Sequence, residues 1–506
     1  MDSTKRIIIN TTAQYTKAII NIVLSLYSTR LIIRALGVSD YGVYMVVAMV
    51  VTMLGFMTNA LVITTQRNIS YYHGQGNHAY VKKIFTNSLF LHILFGLVVS
   101  AILMSLKWWL FDDILRIEPS RIETARQVYY ATIFMLFTTI VTAPFKALFI
   151  ARENIVYISV VEIFDGIIKL ILAIILAYIS ADKLLVYAIM MALIQVINLL
   201  AYSIYGKIRF EECQLTIHRR DLDKTAMDKL INFAGWTIYG TGALAARSQG
   251  ISIIFNHFMG TIVNGAYGIA AQVNNAIFFV SSSIVNAMNP QIMKAEGAND
   301  RQTVLKLAGQ ESKYSTALLS IASIPVLMEL PDILAFWLDD VPEYTAMFCT
   351  FTLATGLCDQ LTIGLNAVNQ AQGRIGTYTM LMFTPKLLNL PIAWWLLHSG
   401  HSLQSVMWSI IIIESMVSIT RLPFLKYTAG LNIGNYLHST IMPLLPIIAT
   451  LFLVSWGCTE LFQFKFRFLL TIVLSASTGI AVAWKFSLNS TERQYIRNLV
   501  NNRFRK

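Results

Sequence analysis

The first long apolar segment, residues 7–34, carries one polar stripe. Its polar side chains recur every three or four positions, at Asn10, Gln14, Lys17, Asn21, Ser25 and Ser28. Residues spaced in this way share one face of an α-helix, so the segment is predicted to be a helix that is apolar on its other faces. A helix that crosses a membrane must turn such a stripe toward a protein interior or a watery cavity. The chain is therefore predicted to have a polar interior.

Apolar runs of membrane-spanning length recur along the whole chain. Of 506 residues, 56% are hydrophobic and 13% are charged, and the mean hydropathy is +0.60. Soluble proteins are about 25% charged, and a helix that spans a bilayer needs about 20 apolar residues. The fold class predicted is an all-α polytopic membrane protein with about fourteen transmembrane helices. The predicted helices are 7–34, 41–68, 84–107, 126–150, 155–180, 183–206, 229–256, 262–289, 308–330, 343–370, 375–397, 402–424, 437–458 and 466–486.

The basic residues cluster in alternate connections, which indicates the orientation of the chain. The net charge of +12 would favour nucleic acid in a soluble protein, but here the positive-inside rule accounts for it. Both termini are predicted to be cytoplasmic, and no nucleic-acid partner is expected. The four cysteines show no C-x-x-C spacing, and no catalytic constellation or phosphate-binding glycine loop occurs. We therefore expect no metal site, no cofactor and no enzyme activity.

An internal repeat organises the chain. The pattern Gly37-x-x-x-x-Gly42-x-Tyr44 recurs 223 residues later as Gly260-x-x-x-x-Gly265-x-Tyr267. The same displacement relates Gly74 to Gly297. Helices 1–6 thus match helices 7–12 as a parallel repeat, which in transporters places the substrate site between the halves. The expected domains are two pseudo-symmetric six-helix lobes with a linker between them, followed by two extra helices and a basic tail: 1–206, 207–228, 229–426 and 427–506.

Charged residues inside predicted membrane helices are the first candidates for a functional site. Burying an ion at membrane depth costs several kcal/mol unless it is paired or hydrated. The substrate-cavity candidates are Lys17, Lys146, Lys169, Arg247 and Lys386, and the ion-coupling candidates are Glu162, Asp165, Asp359 and Glu414. Asp165 and Lys169 stand at i and i+4 and are predicted to pair on one helix. The role of Glu162 stays open: it is the spare carboxylate if these residues form a titratable or cation-binding cluster.

Three of the basic candidates allow two interpretations. Lys146 and Lys386 closely follow Pro144 and Pro385, so each is either an interface residue at a helix kink or an anion contact in a cavity. Arg247 has no acidic neighbour one helical turn away. Its partner is then a carboxylate from elsewhere, such as Asp359 or Glu414, or the substrate.

Neutral amides complete the candidate set. Gln14 and Asn21 lie on the stripe of the first helix, and Gln272 and Asn275 belong to a similar stripe on the eighth. Amides in membranes commonly hold helices together, but they also suit a path for a sugar, whose hydroxyl groups need neutral donors and acceptors. Both interpretations stay open.

The N-terminal sequence resembles that of a known family. The run Ser28-Thr-Arg30-Leu-Ile-Ile-Arg34-Ala-Leu-Gly37-Val-Ser-Asp40-Tyr-Gly42, followed by Gln66-Arg67 and Gly74-x-Gly76-Asn77, is similar to the signature of Wzx-type polysaccharide flippases. These belong to the multidrug/oligosaccharidyl-lipid/polysaccharide (MOP) exporter superfamily. The 6+6+2 arrangement of helices is similar as well.

This resemblance implies a V-shaped pair of six-helix lobes that encloses a central cavity. It implies that an undecaprenyl-pyrophosphate-linked oligosaccharide crosses the bacterial inner membrane by alternating access, coupled to an ion gradient or membrane potential. The partners expected are this lipid-linked oligosaccharide, membrane lipids, H⁺ or Na⁺, and the polymerase and glycosyltransferase machinery of polysaccharide synthesis.

Three other functions compete with this one. A multidrug cation antiporter of the same superfamily would use Glu162 or Asp165 as its essential carboxylate. A lipid II flippase also has fourteen helices, but several arginines would be expected in its cavity. A membrane-embedded glycosyltransferase would need catalytic residues on a large outer loop, and the longest predicted outer loop spans only residues 107–126.

Overall fold

The computed structural model describes residues 3–52, 54–111, 117–214, 216–217, 219–338, 341–373, 375–486 and Arg493. Within these ranges the protein is all-α, as predicted. The α-helices are α1 Ser3–Thr52, α2 Gly55–Gly74, α3 His78–Trp109, α4 Ile122–Ala151, α5 Ile155–Leu176, α6 Lys183–Arg209, α7 Lys224–Gly297, α8 Arg301–Met328, α9 Leu330–Trp337, α10 Thr345–Gln360, α11 Ile363–Gln372, α12 Gly376–Leu387, α13 Asn389–His398, α14 Leu403–Ala429, α15 Ile433–Tyr436, α16 Leu445–Leu461 and α17 Arg467–Phe486. The basic tail predicted after α17 lies outside the described residues apart from Arg493.

The helices make this a polytopic membrane protein. In the described part of the chain, nine spans are long and apolar enough to cross a membrane, and two bent helix pairs, α8–α9 (79°) and α10–α11 (49°), qualify as further spans. The predicted number of fourteen requires three more segments, 41–68, 155–180 and 229–256. These segments are helical too, but length and apolarity alone do not single them out. In α5 the reason is its three charged residues Glu162, Asp165 and Lys169.

Two pairs of predicted helices are joined without a loop. Residues 7–52 form one helix, α1, with a non-helical break at Gly37 (φ 82°, ψ 162°), and α7 has the same break at Gly260 (φ 82°, ψ −175°). This combination of positive φ and extended ψ is essentially restricted to glycine. The predicted outer turn 37–42 is thus a single-residue kink, and the two glycines related by the sequence repeat share one backbone geometry.

The described residues divide into two compact units. Unit 1 comprises residues 1–242 and 293–299, and unit 2 comprises residues 243–292 and 300–506. In unit 1 the linker 207–228 is attached through Asn87, which is fully buried. Its amide nitrogen donates to the carbonyl of Asp221 (3.0 Å), and its amide oxygen accepts from the backbone N–H of Asp223 (2.9 Å).

The last turn of α7 packs on the end of α2 inside unit 1. A Cβ atom added at Gly74 would lie 1.9 Å from the carbonyl oxygen of Lys294, and one at Gly297 would lie 1.8 Å from that of Tyr71. Gly297 and Lys294 stand 223 residues after Gly74 and Tyr71. The contact is therefore reciprocal, and the absence of a side chain at both glycines lets the two backbones touch.

Three connections of unit 1 meet at Arg121. Its guanidinium donates to both carboxyl oxygens of Asp40, in the α1 segment after the kink, and to Asp182 (3.0 Å), the N-cap residue of α6. Burial alone would raise the pKa of Asp182, but hydrogen bonds from Arg121 and Thr124 outweigh it, so this pKa lies below its usual range. Arg121, the N-cap residue of α4, thus ties α1 near its kink to the first turns of α4 and α6.

The two C-terminal helices belong to unit 2. Helices α16 and α17 pack on each other and on α8, and Ser455 and Ser475 share a buried hydrogen bond of 2.9 Å. At the junction between α8 and α9, Glu329 is fully buried and accepts hydrogen bonds from Arg467 (2.9 Å) and Thr471 (2.7 Å). A buried ion pair and a hydroxyl pair therefore anchor the C-terminal helices to unit 2.

Candidate functional site

In unit 1, Glu162 of α5 lies between two lysines. Lys17 of α1 binds Oε2 at 2.7 Å, and Lys146 of α4 binds Oε1 at 2.5 Å. Glu162, whose role the sequence leaves open, is therefore paired with two cations and is not a spare carboxylate. Lys17 lies 145 positions away in the chain, so spacing on one helix does not reveal the pair. Three helices are joined at this carboxylate.

Asp165 is paired one turn further along α5. Lys169 binds its Oδ2 at 2.6 Å, which confirms the pair expected at i and i+4. Asn198 of α6 donates to the other oxygen at 2.7 Å, a contact that the sequence did not indicate. Unit 1 thus holds three lysines and two carboxylates in one stretch of α5 and its neighbours.

A cavity of about 310 Å³ lies beside these groups. One wall is the polar face of α1, with Asn21, Ser25 and Ser28, and another is α5, with Glu162 and Lys169. The amide oxygen of Asn21 is buried and makes no hydrogen bond within the described structure. The cavity is therefore lined by hydroxyl, amide and charged groups.

The remaining stripe residues of α1 lie against the protein. Asn10 is 3% exposed and donates to the carbonyl of Glu153 (2.9 Å), and Gln14 is 5% exposed. The stripe is thus turned toward α5, with which α1 makes extensive contacts. Its first part packs helices together, and its later part lines the cavity.

Unit 2 contains a second network around Glu414 of α14. This carboxylate is buried and binds Arg247 of α7 at 2.9 Å and Lys386 of α12 by a shorter contact. Of the two carboxylates considered for Arg247, the structure selects Glu414. Glu414 of unit 2 and Glu162 of unit 1 therefore share one arrangement, in which a single carboxylate accepts from cations on two other helices.

Asp359 of α10 extends this network to Arg421, which is not among the candidates predicted from the sequence. Arg421 of α14 is 4% exposed, binds Oδ1 of Asp359 at 2.6 Å and donates to Thr362 at 3.2 Å. Lys386 also lies 3.7 Å from Asp359. A signal for Arg421 was present, because Glu414, Ser418 and Arg421 are spaced at i, i+4 and i+7 on one helical face. Unit 2 thus has three cations and two carboxylates, as unit 1 does.

The polar stripe of α7 contains the two remaining amide candidates. Gln272 and Asn275 are exposed. Asn264 accepts a hydrogen bond from Ser252 at 2.6 Å across the kink at Gly260. This bond is the helix-joining use of an amide, whereas the role of Gln272 and Asn275 stays a prediction. Across the residues described, no group of three His, Cys, Asp or Glu side chains has the geometry to hold a metal ion.

The fold matches transporters of known structure. No protein-family model and no curated protein matches the chain. A MOP superfamily transporter from Pyrococcus furiosus superposes with a TM-score of 0.71 at 13% identity, over 85% of this chain and 96% of that one. The outward-facing structure of a multidrug resistance MATE family transporter of the same superfamily gives 0.72 at 12% identity, with the same coverage. A further MATE structure, in the straight conformation, gives 0.69 at 12% identity, over 85% of this chain and 97% of that one. The chain therefore has the fold of the MOP superfamily transporters.

Proposed function

We propose that this protein transports a lipid-linked oligosaccharide with an anionic pyrophosphate head across the bacterial inner membrane. The observation that carries the proposal is the excess of cations in the charge networks of both units. Lys17, Lys146 and Lys169 face Glu162 and Asp165 in unit 1. Arg247, Lys386 and Arg421 face Glu414 and Asp359 in unit 2. Each network has one positive charge more than its carboxylates neutralise.

An anionic head complements such a network better than a cationic drug does. Phosphate oxygens accept charge-assisted hydrogen bonds from lysine and arginine, and these bonds are roughly twice as strong as neutral ones. Lys17 and Lys146 already share one carboxylate, so a phosphate near them competes with Glu162 for cations that lie within reach. In the same way, a phosphate near Arg247 and Lys386 competes with Glu414 for these two cations.

The cavity of unit 1 supplies groups that suit a sugar. Its wall carries Asn21, Ser25, Ser28 and Thr29, which donate and accept hydrogen bonds without carrying charge. Its volume of about 310 Å³ is at the lower end of the range of about 300–1,000 Å³ for ligand pockets. One or two sugar rings would fill it, so it suits part of an oligosaccharide.

The runner-up is a multidrug cation antiporter. It is favoured by the likeness to multidrug MATE structures and by the carboxylates of α5, which would bind a cation or a coupling proton. The lysine pair on Glu162 argues against it, because a cationic drug would have to displace two lysines from one carboxylate. A lipid II flippase shares the anionic head chemistry and differs in the sugar.

In this proposal transport proceeds by alternating access and is coupled to H⁺ or Na⁺. Both chain termini lie in the cytoplasm, where the substrate is assembled by glycosyltransferases, and the product passes to a polymerase outside. The lobes at 1–206 and 229–426 move as the repeating halves. No catalytic step, cofactor or metal is part of the proposal.

The host with the gene deleted provides the test. Polyprenyl-linked intermediates are extracted, and their leaflet is assigned by accessibility to an enzyme added to the periplasm. We expect complete repeat units trapped on the cytoplasmic face, and their sugar would identify the substrate. Normal intermediates together with increased sensitivity to cationic drugs would contradict the proposal and favour the antiporter.

A variant series then connects this phenotype to the networks. Arg247→Ala is expected to restore at most a tenth of the wild-type flipping in the deletion host, since a hydrogen bond from a charged group is worth about 1.5–3 kcal/mol. Lys465→Ala, which removes an exposed lysine between α16 and α17, is the matched control and should restore full flipping. Full activity of Arg247→Ala at wild-type protein levels would remove Arg247 from the site.

A further inference from the structure

Helix α8 contains a buried carboxyl group that neither network uses. Glu311 is fully buried, ten residues into the helix and so about 15 Å from its first turn. Neither of its carboxyl oxygens has a hydrogen-bond partner in the described structure. Glu162, Glu414 and Glu329 each have at least one cationic partner. Glu311 therefore differs from the glutamates of the two networks and of the C-terminal anchor, each of which is bound to a cation.

The surroundings of Glu311 are close-packed. Gly364 of α11 lies against the backbone of α8: a Cβ atom added to it would be 2.0 Å from the carbonyl oxygen of Ala308. The backbone N–H of Gly364 also donates a hydrogen bond to the hydroxyl oxygen of Ser312 (2.9 Å). These contacts press α8 against α11 in the turn that carries Glu311. The group is thus closed off by backbone and cannot turn out to solvent.

The charged and titratable groups around this turn are already engaged. Tyr436 of α15 interacts with Glu311 and Ser312, while its hydroxyl donates to the carbonyl of Leu361 at 2.8 Å. Arg421 of α14 is bound to Asp359 at 2.6 Å, and Lys313 of α8 lies over the ring of Tyr314 at 4.9 Å. The buried carboxyl group therefore has no cation in the described structure to neutralise it.

An ionised carboxylate in such a place costs several kcal/mol, so its charge must be removed. A divalent metal ion would need several oxygen ligands, and the described residues hold no group of three potential carboxylate, histidine or cysteine ligands. A proton needs one carboxyl oxygen only. The geometry therefore favours protonation over metal binding.

We propose that Glu311 is a proton-binding site within unit 2 and that its proton is the one exchanged during transport. A row of buried hydroxyl groups leads from it along one face of α8, at Ser312, Thr316, Ser320 and Ser323, each 0–1% exposed. The hydroxyl groups of Thr316, Ser320 and Ser323 make no hydrogen bond in the described structure, so each can donate to or accept from a proton carrier that passes along this face. The proton site stands on the geometry of α8, whereas its use in transport rests on the proposed function.

Infrared spectroscopy of the purified protein tests the site directly. The infrared band of a protonated carboxyl group lies at a different frequency from the bands of ionised carboxylates, and it shifts on transfer to D₂O. We expect such a band at neutral pH in the wild type and its loss in Glu311→Gln, which keeps the size of the side chain. Glu329→Gln is the matched control, because Glu329 is equally buried but bound to Arg467, and this variant should retain the band.

The outcomes separate the site from the transport cycle. A band that persists unchanged in Glu311→Gln, or that disappears from the wild type when sodium is added at constant pH, overturns the proton site. In liposomes with a pH gradient, the flipping rate of the wild type should change several-fold with the gradient, and that of Glu311→Gln should not. A variant that lacks the band but keeps the full response to the gradient overturns the coupling role. Because the infrared result needs no substrate, it holds or fails independently of the lipid transported.

Discussion

At Glu414 a buried carboxylate is shared by two cations from other helices. Both Lys386 and Glu414 are nearly inaccessible, at 5% and 3% side-chain exposure, and Arg247 is at 23%. Breaking a buried ion pair by removing one partner typically costs about 3–5 kcal/mol, because it leaves an uncompensated charge. The energetic consequence of a substitution here depends on which partner is removed.

Glu414→Gln should destabilise the protein more than Arg247→Ala does. The first change leaves two cations facing an amide, and we expect a loss of about 3–5 kcal/mol. The second leaves Glu414 bound to Lys386, so a smaller loss is expected. The unfolding temperature of the purified protein measures both, with Lys465→Ala as the control. An unfolding temperature of Glu414→Gln equal to that of Lys465→Ala would show that the network does not stabilise unit 2.

Most of the charged residues in the two networks could be recognised from the sequence, but not all of their partners could. Asp165 and Lys169 are neighbours on one helix, and their pair was predictable. Lys17 and Glu162 meet only through the packing of α1 on α5, which spacing cannot show. Arg421 was missed because its position near the end of a predicted helix made it look like part of a cytoplasmic connection. Glu311 was missed because it stands close to the basic segment before α8.

The two long helices bend where glycine permits it. Gly37 and Gly260 adopt positive φ with extended ψ, a conformation that costs other residues about 1–3 kcal/mol. We expect Gly37→Ala and Gly260→Ala each to lower the free energy of unfolding by that amount. Gly42→Ala is the control, because Gly42 is helical and a Cβ there meets nothing within 4 Å. Thermal unfolding that does not distinguish Gly37→Ala from this control would contradict the assigned kink.

The contact between α2 and the end of α7 gives a second prediction for glycine. Gly74→Ala and Gly297→Ala each place a methyl group within 2 Å of a backbone carbonyl oxygen. Overpacking of this kind typically costs about 1–3 kcal/mol, and here backbone must move. Both variants should unfold at lower temperature than Gly42→Ala. The loss of stability in the double variant should be smaller than the sum of the losses in the two single variants, because the first methyl group already separates α2 from α7.

The ion cluster at Arg121 predicts sensitivity to acid. The pKa of Asp182 is lower in the folded protein than in the unfolded chain, so its contribution to stability is complete above its unfolded pKa of about 4. It is lost as the pH falls through the folded pKa. We expect Asp182→Asn to unfold at lower temperature than the wild type at pH 7 and the difference to shrink below pH 4. A difference that is constant with pH would contradict the ionised pair.

The presence of the helices was easier to predict from the sequence than the residues at which they begin, bend and end. Hydropathy and length located the helices, because a backbone in lipid must satisfy its hydrogen bonds internally. The bends within 301–337 and 345–372 were missed, although Pro325 and Pro331 flank the first bend. The kinks at Gly37 and Gly260 were predicted as loops, because glycine is typical of both and only tertiary packing decides between them.

The charge network of each unit contains one excess cation, but the two networks reach it with different residues. Lys17, Lys146 and Glu162 lie on α1, α4 and α5, whereas Arg247, Lys386 and Glu414 lie on α7, α12 and α14. The glycine motif and the kinks repeat at a displacement of 223 residues, whereas no two residues of the charge networks are related by that displacement. The excess charge thus follows from chemistry common to both units, which is the reason we assign it to the substrate.

Flipping of a labelled polyprenyl-pyrophosphate oligosaccharide by the purified protein in liposomes measures the proposed activity itself. The wild type and Lys465→Ala should move the lipid between leaflets, and the combined variant Lys146→Ala/Arg247→Ala should lose at least nine-tenths of the rate. A fluorescent organic cation should not be transported by any of them. Transport of that cation in exchange for protons, with the labelled lipid left in its original leaflet, would contradict the proposed transport of a lipid-linked oligosaccharide.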